Sequence, residues 1–241
     1  MHASASELLL NAEKIDGYRA AIEGSFLNTV ARRGDYYHPS SVSPSEGERL
    51  LAEIDKIELL NDAMVVVMHA TADSGYPHTR PLNIVCIPAT SIEGVSTDAL
   101  ATTLRHEAIH VHQRNNIETW TAACMKDGWS LVPTARIPGR FRDRCRINPD
   151  TFKPQQFWAW EHTFVPLPMF FRDDAPRLGD VQIKWYDLRN GALYTDPPFS
   201  FQIRYGANPA QPEHPFELLA VEAADKGIKD DYTLRSNLSM K

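Results

Sequence analysis

The chain has 241 residues, 43% hydrophobic and 23% charged, with a formal charge of −6 from 25 Lys+Arg against 31 Asp+Glu. This balance excludes a collagenous or disordered chain and argues against nucleic acid as a partner, because such affinity comes from a basic surface. Three dispersed cysteines offer neither a disulfide framework nor a thiolate zinc knuckle, whereas nine histidines supply the side chain that most often binds metal.

The N-terminus has no basic leader, and its apolar run Leu8 to Leu10 is too short for a signal core. Nothing approaches the roughly 18 apolar residues of a membrane span, so a cytoplasmic protein with no membrane partner is expected. Ser4-Ala5-Ser6-Glu7 reads as a helix cap, followed by Leu9, Ile15, Tyr18, Ile22 and Phe26 at near-helical intervals. Ser43-Pro44 starts a second helix, predicted over about 44–60. Residues 64–68 and 84–87 are β-branched runs and predict two strands joined by an irregular loop containing Pro77-His78-Thr79-Arg80. From Thr97 to about Arg114, Leu100, Leu104, Ala108 and Val111 make one helical stripe, and a further helix is expected from Ile117 to Met125.

Residues 133–154, rich in Pro, Gly and Arg, predict an exposed basic loop. Aromatic-rich segments follow at 157–160, 164–171, 181–186 and 199–205; the alternating ones predict strands, with Arg189-Asn190-Gly191 as a turn. A last helix begins near Pro215 and ends near Lys226, ahead of a polar tail expected to fray.

The chemistry lies in His106-Glu107-Ala108-Ile109-His110. Spacing of four puts both imidazoles on one helical face, where they can share a Zn2+ ion, with Glu107 beside them. Zinc lowers the pKa of its bound water toward about 7, and a carboxylate takes the remaining proton as the water attacks a polarised carbonyl. The metal-facing stripe reads Thr102 or Thr103, His106, His110 and Gln113, while His112 points away and reads as a surface histidine.

This segment resembles the zincin metallopeptidases, in which an HExxH helix packs under a sheet. The resemblance implies that His106 and His110 are zinc ligands and Glu107 the general base. The metzincin pattern would place Gly at 113 and His at 116, where this chain has Gln113 and Asn116. In the gluzincin branch the third ligand is a Glu on a later helix, with Ala or Ser three residues on. His214-Pro215-Phe216-Glu217-Leu218-Leu219-Ala220 is the best match and nominates Glu217; Glu222 is the rival and Glu161 a further candidate. His162 and Tyr205 are candidate oxyanion donors of the type such peptidases use.

The expected architecture is α+β and zincin-like: a helical segment over 1–62, a catalytic domain over 63–228 with a small twisted sheet on the HExxH helix and an aromatic-rich second half, and a polar tail over 229–241. The expected function is zinc-dependent hydrolysis of a peptide or protein substrate, and no recognisable exopeptidase motif appears, which tilts toward an endopeptidase. The alternatives are a non-catalytic zincin-fold metal-binding or interaction protein, and a metal-dependent hydrolase of a non-peptide amide or ester.

Overall fold

The computed structural model describes residues 4–152 and 156–239. These form a mixed α+β structure with ten α-helices and two sheets among the described residues. The helices are α1 (Ala5–Asp16), α2 (Tyr18–Glu23), α3 (Phe26–Ala31), α4 (Pro44–Ile54), α5 (Thr97–Asn115), α6 (Ile117–Lys126), α7 (Gly139–Arg142), α8 (Phe199–Tyr205), α9 (Pro215–Asp225) and α10 (Asp231–Ser239). The strands are β1 (Met64–Met68), β2 (His78–Arg80), β3 (Ile84–Pro88), β4 (Trp129–Leu131), β5 (Trp158–Trp160), β6 (Phe164–Phe170), β7 (Val181–Asp187) and β8 (Leu193–Tyr194). None of the described helices is long and apolar enough to cross a membrane.

Two compact units are present. One comprises residues 4–19, 34–117 and 222–239; the other comprises 20–33, 118–152 and 156–221.

In the first unit, β3 is the central strand, parallel to β1 and antiparallel to β2. Alternation along β3 sends its side chains into two separate cores. Val85 and Ile87 join Leu100, Leu104, Ala108 and Val111 of α5 and Leu50 of α4, while Ile84 and Cys86 join Val66, Met68, Leu9 and Ala12. Burying each such Val, Leu or Ile contributes about 1.5–3 kcal/mol, so the sheet holds α5 on one face and α1 on the other. Ser4 and Glu7 form the expected capping box, and Gly17, at φ 63°, closes α1 in the left-handed conformation that costs glycine least. The predicted helix at 44–60 stops at Ile54, and a single 3-10 turn at Glu58–Leu60 keeps Ile57 and Leu60 buried. The predicted loop before the second long strand includes β2, because residues 78–80 find backbone partners at 84–86. The tail expected to fray carries α10 instead, with Leu234 and Leu238 buried.

In the second unit, β4 to β8 form a five-stranded antiparallel sheet in sequence order. Ala159, Val165, Leu167, Met169 and Tyr186 share one core with Val132, Ile137 and Phe157. Trp160 and Trp185 instead surround Phe201 of α8, at ring-centroid distances of 5.8 and 4.6 Å. The predicted strand at 199–205 is therefore corrected to a helix. Strict alternation of apolar residues at 199, 201, 203 and 205 is a strand period; on the helix it divides between two sides, so α8 buries Phe201 fully and leaves Phe199 and Ile203 exposed. Pro198 before it and Gly206 after it are the punctuation that marks a short helix. The basic segment is partly folded: the Arg146 amide donates to the Pro168 carbonyl and the Phe170 amide to the Arg144 carbonyl, so residues 144–146 pair alongside β6. Gly128, at φ 100°, ends the turn before β4, where an added Cβ would lie 3.2 Å from the Trp160 ring.

Candidate metal centre

Helix α5 starts at Ser96, whose hydroxyl accepts from the Ala99 amide at 3.2 Å. Its apolar stripe is committed to the core beneath the sheet, which leaves another face to His106, His110 and Gln113. His110 is 1% exposed, Glu107 is buried and His106 half-buried. The two imidazoles present Nε2 to Nε2 at 3.0 Å. Two nitrogens bound at about 2.0–2.1 Å to one tetrahedral zinc lie about 3.3–3.4 Å apart, so a few tenths of an ångström separate the observed pair from a coordinating one.

Gln113 decides which nitrogen of His110 is available. Its Oε1 lies 2.7 Å from His110 Nδ1. A carbonyl oxygen only accepts, so Nδ1 carries the proton and Nε2 of the neutral ring keeps its lone pair. A ligating histidine needs such an outer partner. The sequence placed Gln113 on the stripe without giving it this role.

Glu217 lies in the first turn of α9 and is 1% exposed. His214 caps that helix by accepting the Phe216 amide at Nδ1 (3.1 Å), and Pro215 occupies its first position. Asn148 Nδ2 donates to Glu217 Oε1 at 2.7 Å. Asn148 went unnoticed in the sequence because a loop amide has no periodic signature. Glu213, also buried, is ion-paired with Arg146; burial pushes its carboxyl upward, and the guanidinium opposes that shift. Seven residues beyond Glu217 on the same helix, the Ala224 carbonyl accepts from Arg105 Nε of α5 at 3.2 Å.

His106 and His110 bring two imidazole nitrogens together on α5 in the first unit, and Glu217 is a buried carboxylate of the second. Imidazole nitrogens and carboxylate oxygens are donors that suit several divalent metal ions.

No protein-family model, curated protein or solved structure matches this chain.

The other candidates have different surroundings. Glu222 is bound to Lys226 one turn along α9, at 2.8 Å. Glu161 and His162 are exposed at the β5–β6 turn, both at positive φ. Tyr205 donates to Asp127 and accepts from Trp129 Nε1, and burial, with the Asp127 contact second, drives its phenol pKa far up. His112 is not the surface residue expected: it is 8% exposed, with Nε2 2.8 Å from Asp231 of α10. Arg80 of β2 is fully buried, bound to Asp16 through two nitrogens at 2.8 Å and to Glu13 and Tyr37 at the same distance.

Proposed function

We propose that this protein is a zinc-dependent peptidase of the gluzincin kind. His106, His110 and Glu217 would hold the metal, and Glu107 would act as general base. The pairing of His106 Nε2 with His110 Nε2, on a helix that carries Glu107 beside His106, is the observation that carries the reading. When bound, zinc would polarise a scissile carbonyl and acidify a water at its open position. Glu107 would take the proton from the attacking water and pass it to the leaving amine. Gln113 would fix the His110 tautomer, and Asn148 would hold one oxygen of Glu217 so that the other faces the metal. An extended peptide is the substrate that zincin-like chemistry implies.

The test pairs metal analysis with a peptide library read by mass spectrometry. One zinc per chain is expected at this centre, lost in His106→Ala. Glu107→Gln should keep the zinc and lower cleavage about 10²–10⁴-fold. A zinc-loaded protein that cleaves no peptide would overturn the peptidase reading in favour of a metal-binding role.

A further inference from the structure

A second pair of histidines stands in the first unit, outside the centre described above. Residues 38–40 run antiparallel along the outer side of β1: the Ser40 amide donates to the Val67 carbonyl at 2.9 Å, the His69 amide to the His38 carbonyl at 3.0 Å, and Pro39 is bridged to Met68. This register sets His38 directly opposite His69, and directly opposed residues of an antiparallel pair project on the same face. Their ring centroids are 5.2 Å apart, at an interplanar angle of 52°.

That separation fits a shared metal ion. An imidazole bound at about 2.0–2.1 Å places its ring centre about 3.2 Å from the metal, and two such rings at the tetrahedral angle have centres about 5.2 Å apart. Hydrogen bonding also prepares the His38 ring. His38 Nδ1 lies 2.9 Å from the Pro39 carbonyl, an acceptor only, so His38 Nε2 holds the lone pair. His69 Nδ1 accepts the Thr71 amide at 3.2 Å and lies 3.1 Å from the Thr71 hydroxyl, so an ion at Nε2 would displace the proton there and move it to Nδ1, which would then donate to the hydroxyl in place of accepting the amide. A ligand imidazole backed by a carbonyl or hydroxyl through its second nitrogen is the usual arrangement at protein metal sites. The Tyr36 ring stands edge-on to His69 at 5.2 Å and limits how far that imidazole can swing.

We propose that His38 and His69 form a second site for a borderline divalent transition-metal ion, with solvent completing its coordination. Imidazole suits zinc, copper and nickel. The ion would clip the 38–40 segment to β1, so metal would add stability by binding the folded register and not the unfolded chain.

The test uses full-length, metal-free protein carrying His106→Ala and His110→Ala, which remove the first centre, and His2→Ala, which removes chelation by the chain terminus. Titration with Zn2+ by calorimetry should show a single equivalent, with chemical-shift changes in the His38 and His69 imidazole nitrogens. That equivalent should vanish in His38→Ala and in His69→Ala, with circular dichroism unchanged. Absence of zinc uptake in this background, or uptake that survives either substitution, would overturn the site. If the background folds poorly, His69→Ala in the otherwise unaltered chain should bind one zinc fewer than its parent, and an unchanged count would likewise overturn it. Neither experiment depends on peptidase activity, and loss of the first centre is read separately from His106→Ala.

Discussion

The side-chain oxygen of Gln113 lies 2.7 Å from Nδ1 of His110, one turn further along the same helix. This contact fixes the proton on the nitrogen that faces away from His106. Gln113→Leu should therefore weaken zinc binding about 10–100-fold, the usual effect of removing an outer-shell partner. Competition with a chromophoric chelator measures it. Gln113→Glu, which still accepts from Nδ1, should bind zinc more tightly than Gln113→Leu; equal affinity in the two variants would deny the contact its positioning role.

Glu217 and Glu222 are the two candidates for third ligand in the proposed zinc site, and their surroundings differ. Glu217 is buried and receives Asn148 at 2.7 Å, whereas Glu222 is held by Lys226. Glu217→Ala should lower zinc affinity more than Glu222→Ala, with Asn148→Ala intermediate at about 10-fold or more. The reverse order in the same chelator assay would transfer the ligand role to Glu222.

Arg80 carries a buried charge that its neighbours satisfy. Burial works against the guanidinium, and bonds to Asp16 with the nearby Tyr37 outweigh it, so its pKa lies above the ordinary arginine value. Burial likewise holds the Tyr37 phenol protonated, and this hydroxyl lies 2.7 Å from His78 Nε2. Arg80→Met leaves Asp16 and Glu13 without their cation, and removing one member of a buried pair costs about 3–5 kcal/mol. Urea denaturation should show that loss; a change under about 1 kcal/mol would mean that water reaches these carboxylates freely.

All three cysteines are buried, and burial pushes the Cys145 thiol up to about 12. At pH 8 the folded protein should therefore react slowly or not at all with a thiol-specific chromogenic reagent, and all three should react once it is unfolded. Rapid labelling of the folded chain would show that local opening exposes one of these sites.

Legibility in the sequence followed the range of the interactions. Ser4 with Glu7, Ser43 with Pro44, and the stripe through Leu100, Leu104, Ala108 and Val111 are local relationships, and they placed α1, α4 and α5 from the sequence. The pairing of His106 with His110 was equally local, because four residues along a helix is one turn. At 199–205 the alternating spacing pointed to a strand, and burial of Phe201 among Trp160 and Trp185 decided for the helix. His112 was misjudged because its partner, Asp231, stands 119 positions away on a helix that the sequence suggested would fray.

The sequence alone determined the chemistry that α5 can offer: two imidazoles on one face, a carboxylate beside one of them, and no thiolate placed to compete. Tertiary structure decided which tautomer His110 adopts, and that Glu217 is buried with Asn148 bound to it. The division is physical. Helical periodicity is written in residues three and four apart, whereas the burial of a carboxylate, or an amide reaching it from a loop, depends on how separate segments pack and leaves no regular spacing in the chain.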